Sequence, residues 1–129
     1  MNSIGVEAAR AVFSRRVDAW LAQDVDAYVG CWHDDMRIEM PSGVIEGAAR
    51  YRKLVVASFA WAAPVSFAVH HLAVEDDTSV VFADWTTRAR RHEDGVVVEW
   101  RGLSVCEIHD GKIAWWREHH LAPPTPIDG

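Results

Sequence analysis

Cysteine is scarce, positive charge is in the minority, and no long apolar run interrupts the sequence. The 2 cysteines, Cys31 and Cys106, lie far apart without CxxC spacing, which excludes a disulfide framework and a cysteine-based zinc site. They read as buried free thiols in a reducing cytoplasm. Net charge is −6 and no basic run exceeds Arg88 to His92, so nucleic acid is excluded as a partner. No apolar segment approaches the ~20 residues of a membrane span, and no N-terminal apolar run looks like a signal peptide. The expectation is a soluble, cytoplasmic protein with no membrane partner. HxH and HExxH spacings are both missing. His70 and His71 are neighbours on a strand and are expected to face opposite ways, so no metal site is expected. Repeats, linkers and low-complexity segments are absent too.

What remains is apolar and aromatic. Half of the 129 residues are hydrophobic and 7 are Trp, ample for a core and a pocket in one domain spanning 1–129. The chain opens with an amphipathic helix, on which Val6, Ala9, Phe13, Val17, Trp20 and Leu21 form one stripe. Arg16 lies on that stripe, between Phe13 and Trp20. Asp24 caps a short second helix to about Cys31. A short strand, Met36 to Met40, ends at Pro41-Ser42-Gly43. A third helix runs from about Gly47 to Ala60, with Tyr51, Leu54, Val55, Ser58 and Phe59 near one face, and Pro64 separates it from the sheet. Three long strands come next, 65–74, 79–91 and 96–108, with turns at Asp76-Asp77-Thr78 and Glu93-Asp94-Gly95. A last strand, Ile113 to His120, precedes a short Pro-rich tail from about residue 122. Helices first and a long antiparallel meander afterwards predict an α+β domain, with three helices on one face of a strongly curved sheet that encloses a pocket.

The turn between the last two strands has two readings. Asp110-Gly111 alone makes a two-residue loop, and His109-Asp110-Gly111 a three-residue one. A one-residue slip sends every side chain to the other face.

Ala19-Trp20-Leu21, Trp32-His33-Asp34-Asp35, Ile45-Glu46-Gly47, Asp110-Gly111-Lys112-Ile113 and Trp116-Arg117-Glu118 together resemble the nuclear transport factor 2-like superfamily. This is the α+β cone shared by ketosteroid isomerase, limonene epoxide hydrolase and SnoaL-type polyketide cyclases. The resemblance runs from about residue 6 to 122. It implies a pocket between the concave sheet face and the helices, and a homodimer through the convex face. The fold hosts many chemistries, so the resemblance identifies the fold better than the activity.

Carried over residue by residue, the resemblance points away from the family's familiar catalytic sets. The ketosteroid isomerase tyrosine, base and acid correspond here to Arg16, Met40 and Ser104. The arginine and acid on the third long strand of limonene epoxide hydrolase become Trp85 and Thr87, and the tyrosine and asparagine that hold its water become Ile38 and Met40. Its carboxylate after Trp-Arg survives as Glu118. The resemblance also puts Ser104 and Glu118 on the pocket side together, which favours the three-residue loop. That register pairs Ser104 with Trp116, Gly102 with Glu118 and Trp100 with His120. Gly102 then leaves room beside Trp85 for a ligand or for the ring itself.

The candidate catalytic group is therefore Glu118, with Arg16 gripping it by a bidentate bond and His120 sharing its proton. Trp20, Ile38, Met40, Tyr51, Trp85, Thr87, Trp100, Ser104 and Trp116 are the candidate pocket residues for a small lipophilic molecule. Two readings stay open. One is a cofactor-free acid–base enzyme that isomerises, cyclises, dehydrates or opens an epoxide. The other is a ligand-binding or dimerisation module in which Arg16 and Glu118 form a structural ion pair. A homodimer is expected through Leu103, Val105, Ile113, Trp115 and Leu121 on the convex face.

Overall fold

The computed structural model describes residues 4–127. Helix α1 (Val6–Leu21) buries Ala9, Val12, Phe13, Arg16 and Ala19, so a guanidinium shares the inward stripe with apolar side chains. In α2 (Val25–Val29) the Asp24 carboxylate accepts a hydrogen bond from the Ala27 backbone N–H at 3.0 Å, satisfying one of the helix's free donors. Strand β1 (Trp32–Met40) begins earlier than expected, and Gly43–Glu46, between the expected break at Pro41-Ser42-Gly43 and the third helix, folds back on it as strand β2. Helix α3 (Ala48–Trp61) passes directly into β3 (Ala62–Val74), so Pro64 lies inside a strand instead of ahead of it. An edge strand accommodates that proline, because its missing N–H breaks no ladder on the open side.

Strands β4 (Val80–Arg91), β5 (Val97–His109) and β6 (Lys112–His120) complete the meander. The sheet order is β2-β1-β6-β5-β4-β3, and among the described residues every pairing is antiparallel except β1 with β6. The proline-bearing segment after β6 is not a loose tail, since β7 (Thr125–Ile127) pairs with Val97, Val98 and Glu99 of β5.

The β5–β6 hairpin departs from the expected three-residue loop. His109 pairs with Lys112 across a two-residue turn, and Asp110 and Gly111 both have positive φ (53° and 75°), as a type I′ loop requires. That turn alone would place Ser104 and Glu118 on opposite faces. A bulge reverses the slip: Ile108 pairs with Ile113 but Glu107 pairs with Trp115, leaving Ala114 as an extra residue. Ser104 therefore lies opposite Glu118, Cys106 opposite Trp116 and Gly102 opposite His120. With β4 in register, two rows cross the concave face, Ala83–Ser104–Glu118 and Trp85–Gly102–His120. The two-residue turn also takes Ile113, paired with Ile108 and fully buried, off the outer face where it was expected. A second bulge, between Val69 and His71, lets both imidazoles reach the outer face, where His70 Nε2 meets Thr86 Oγ1 at 2.8 Å and His71 Nδ1 meets Asp84 at 2.9 Å.

Between α1 and the concave face the core is aromatic. Phe13, Trp32 and Trp116 pack at ring separations of 5.6–5.8 Å, and Trp32 meets Tyr51 edge-on at 5.0 Å.

Candidate active site

A cavity of about 240 Å³ lies between the concave sheet face and the helices. Helix α3 supplies one wall at helical spacing, through Tyr51, Leu54, Val55, Ser58 and Trp61. The sheet supplies the opposite wall through Ile38, Met40, Phe67, Trp85, Thr87, Trp100, Glu118 and His120, and Arg16, Trp20 and Tyr28 close the inner end. Trp61, half exposed and edge-on to Trp100 at 5.8 Å, marks the mouth.

Two charged groups and one imidazole enter this apolar space. Glu118 projects from β6 and is held from two sides: its Oε1 accepts from Trp116 Nε1 and its Oε2 from His120 Nε2, both at 2.9 Å. The i, i+2 spacing on a strand puts all three side chains on one face, so backbone geometry alone assembles this group. The His120 ring stands edge-on to Trp85, at 6.2 Å. On its other side the pair is reached from a wider hollow bounded by Glu39, Arg117 and residues 121–124.

Arg16 makes no bidentate bond to Glu118, and no carboxylate among the described residues forms an ion pair with it. Its guanidinium lies over Trp116 at 4.4 Å, with the Tyr28 and Phe67 rings each 5.4 Å away. Glu118 is engaged instead by Trp116 and His120. Burial pulls Arg16 toward its neutral form, but the oxygens of Tyr28, Tyr51 and Glu118 outweigh it and hold the pKa above the ordinary arginine value. The side chain is charged at any physiological pH. Its Nε is walled in with no hydrogen-bond partner among the described residues. Such a buried, unmet N–H costs about 1–3 kcal/mol, and each cation–π contact contributes about 0.5–2 kcal/mol in the other direction.

Of the expected pocket residues, Trp20, Ile38, Met40, Tyr51, Trp85, Thr87 and Trp100 line the cavity beside Arg16, Glu118 and His120. Ser104 and Trp116 do not, because other rings cover them. Trp85 Nε1 donates to Ser104 Oγ at 3.2 Å and its ring roofs the hydroxyl over, while Trp116 is fully buried beneath Arg16 and Phe13. Tyr28, Phe67 and Trp61 were not expected there. Tyr28 shares a 2.8 Å hydrogen bond with Tyr51, and burial first, then Tyr28, pushes the Tyr51 hydroxyl well above the usual phenol range. Trp61 was legible, since it continues the Tyr51, Leu54, Ser58 spacing by one more turn. Phe67 was hidden by a bulge after Pro64 that breaks the strand's alternation. No cluster of three or more metal-ligating side chains forms among the described residues.

The family model for the SnoaL-like domain matches residues 13–116. Solved structures of similar shape include a candidate isomerase from Bacillus subtilis (21% identity, 88% of this chain and 86% of that one, TM-score 0.81). An LEH-like epoxide hydrolase from M. tuberculosis is similar at 19% identity, 88% and 83% coverage and TM-score 0.75. A ketosteroid isomerase-like protein from Erwinia carotovora atroseptica is similar at 15% identity, 93% and 100% coverage and TM-score 0.72. At these identities the likeness is one of fold. No protein of curated function matches the sequence.

Proposed function

Because the chain belongs to the SnoaL-like domain family, we propose that it is a cofactor-independent acid–base enzyme acting on a small lipophilic molecule. The observation that carries this reading is the Glu118–His120 pair, joined at 2.9 Å in the wall of a largely apolar cavity that Arg16 also lines. In this reading Glu118 takes a proton from a carbon or a water, and His120 shares it. Trp116 Nε1 fixes the carboxylate's orientation, so the base is positioned before the substrate arrives. Arg16 stabilises negative charge on the bound molecule. The hollow behind the pair gives the proton an exit to solvent without opening the apolar side. Isomerisation, cyclisation, dehydration and epoxide opening all need such a step.

Hydrogen–deuterium exchange in D₂O tests this whichever of these reactions the enzyme catalyses. Small cyclic ketones and enones serve as carbon acids, with styrene oxide as an epoxide probe, all followed by NMR. Glu118→Gln keeps the shape and removes the base, so enzyme-dependent exchange or opening falls about 10²–10⁴-fold, with the melting temperature little changed. Full activity in Glu118→Gln refutes the assignment.

The same reading includes a homodimer through the outer sheet face. Phe82 and Leu103, 45% and 47% exposed, lie near each other there on β4 and β5, and Trp115 and Val105 flank them. An apolar patch of this kind on a sheet is suited to a second copy of the chain.

A further inference from the structure

We propose that the cavity's ligand is an anion, a small lipophilic carboxylate whose head group is bound by Arg16 at the closed end. The inference rests on the cavity being a ligand site and names the chemistry of what enters it.

Arg16 is 7% exposed and lines the cavity, yet no carboxylate among the described residues pairs with it. Its walled-in Nε has no partner among those residues and is out of a ligand's reach. Three aromatic rings and the Tyr28 hydroxyl lie about the guanidinium, whose two terminal nitrogens make no ion pair with a carboxylate among those residues. Rings leave the planar edge of a guanidinium free, and that edge is what a carboxylate binds bidentately. The other oxygen-bearing groups whose charge bears on it do not fill the role. Tyr28 and Tyr51 are bonded to each other at 2.8 Å, and Glu118 is held by Trp116 and His120. The fold thus carries a permanent buried cation that feels Glu118's charge but has no carboxylate in direct contact among the described residues.

Cavity shape agrees with an acid that has an apolar body. The buried cation and Tyr28 share the lining with Phe67, Met40, Leu54 and Trp85, and the half-exposed Trp61 stands edge-on to Trp100. At about 240 Å³ the space is just under the ~300–1,000 Å³ common for drug-sized ligands, which suits a bicyclic or monoterpene-sized acid. Glu118 and His120 then face the body of the ligand, close to its head.

The test is calorimetric and independent of turnover. Three acids, 2-naphthoate, 4-phenylbutanoate and geranate, are titrated beside their neutral primary amides. At least one acid binds about 10-fold or more tightly than its amide. Arg16→Met abolishes that preference while the amide still binds, and Arg16→Lys keeps part of it. Equal affinity for acids and amides overturns the proposal, as does a preference that survives in Arg16→Met or a failure of every acid to bind. The wild-type comparison decides even where a variant does not fold. Loss of exchange in Glu118→Gln without acid preference defeats this inference alone. Acid preference with full activity in Glu118→Gln defeats only the enzymatic reading.

Discussion

The Trp85 indole lies directly on Gly102: a methyl group at that glycine would stand 2.5 Å from Trp85 Cη2. The ring cannot easily retreat, because it stacks on Phe67 at 5.4 Å and its Nε1 donates to Ser104. Gly102→Ala is therefore predicted to lower stability by about 1–3 kcal/mol through overpacking. It also forces the indole toward the cavity. Thermal denaturation and near-UV circular dichroism read both effects, and Trp85→Leu in the same chain recovers most of the lost stability. A Gly102→Ala protein as stable as the parent would show that the ring is not pinned.

Tyr28 and Tyr51 satisfy each other inside the core. Replacing either with Phe strands the remaining hydroxyl, at a predicted cost of about 1–3 kcal/mol. Replacing both removes donor and acceptor together, so the double variant loses less than the two single losses combined. Chemical denaturation of the four proteins measures the coupling. Additive losses would exclude it.

Burial pushes the Cys106 thiol from 9.0 to about 12. The unfolded chain ionises this group above pH 9 and the folded one does not until about 12, so the thiol's contribution is complete below pH 9 and lost as pH rises through that window. Up to about 4 kcal/mol is at stake. Cys106→Ala should flatten the decline of stability between pH 9 and 11, measured by urea unfolding. In the native protein neither buried thiol should react with a disulfide reagent at pH 8, and both should react in denaturant.

Leu103→Asp places a charge in the centre of the outer apolar patch. The prediction is a monomer at micromolar concentration by sedimentation, against a dimeric parent, with an unchanged melting profile for the isolated subunit. A monomeric parent removes the dimer from the proposed reading.

The fold class was legible because long periodic elements speak for themselves. The α1 stripe, the strand series and the Asp110-Gly111 turn each follow local rules. The site was less so, and the reason is the bulges. No propensity marks Ala114 as the extra residue, yet without it Glu118 would face the other side of the sheet. The expected loop length and the observed bulge both put Ser104 and Glu118 on one face, by different registers. Pairing of Arg16 with Glu118 was inferred from opposite charge. It gave way to a nearer indole and imidazole, a contest that sequence spacing does not rank.

The parallel pairing of β1 with β6 sets when the cavity can exist. Strands β3, β4 and β5 meet their partners through short turns and can form early, whereas β1 must wait for a partner from the far end of the chain. Arg16 and Glu118 are likewise drawn from opposite ends. The β3–β5 ladder can therefore pair before the β1–β6 side of the cavity exists, and the site is enclosed only when Glu118 arrives on β6. Whatever fills the cavity then binds a state in which the β3–β5 ladder and the β1–β6 seam are both in place. Occupancy will register as slower unfolding of the assembled domain, the β1–β6 seam included.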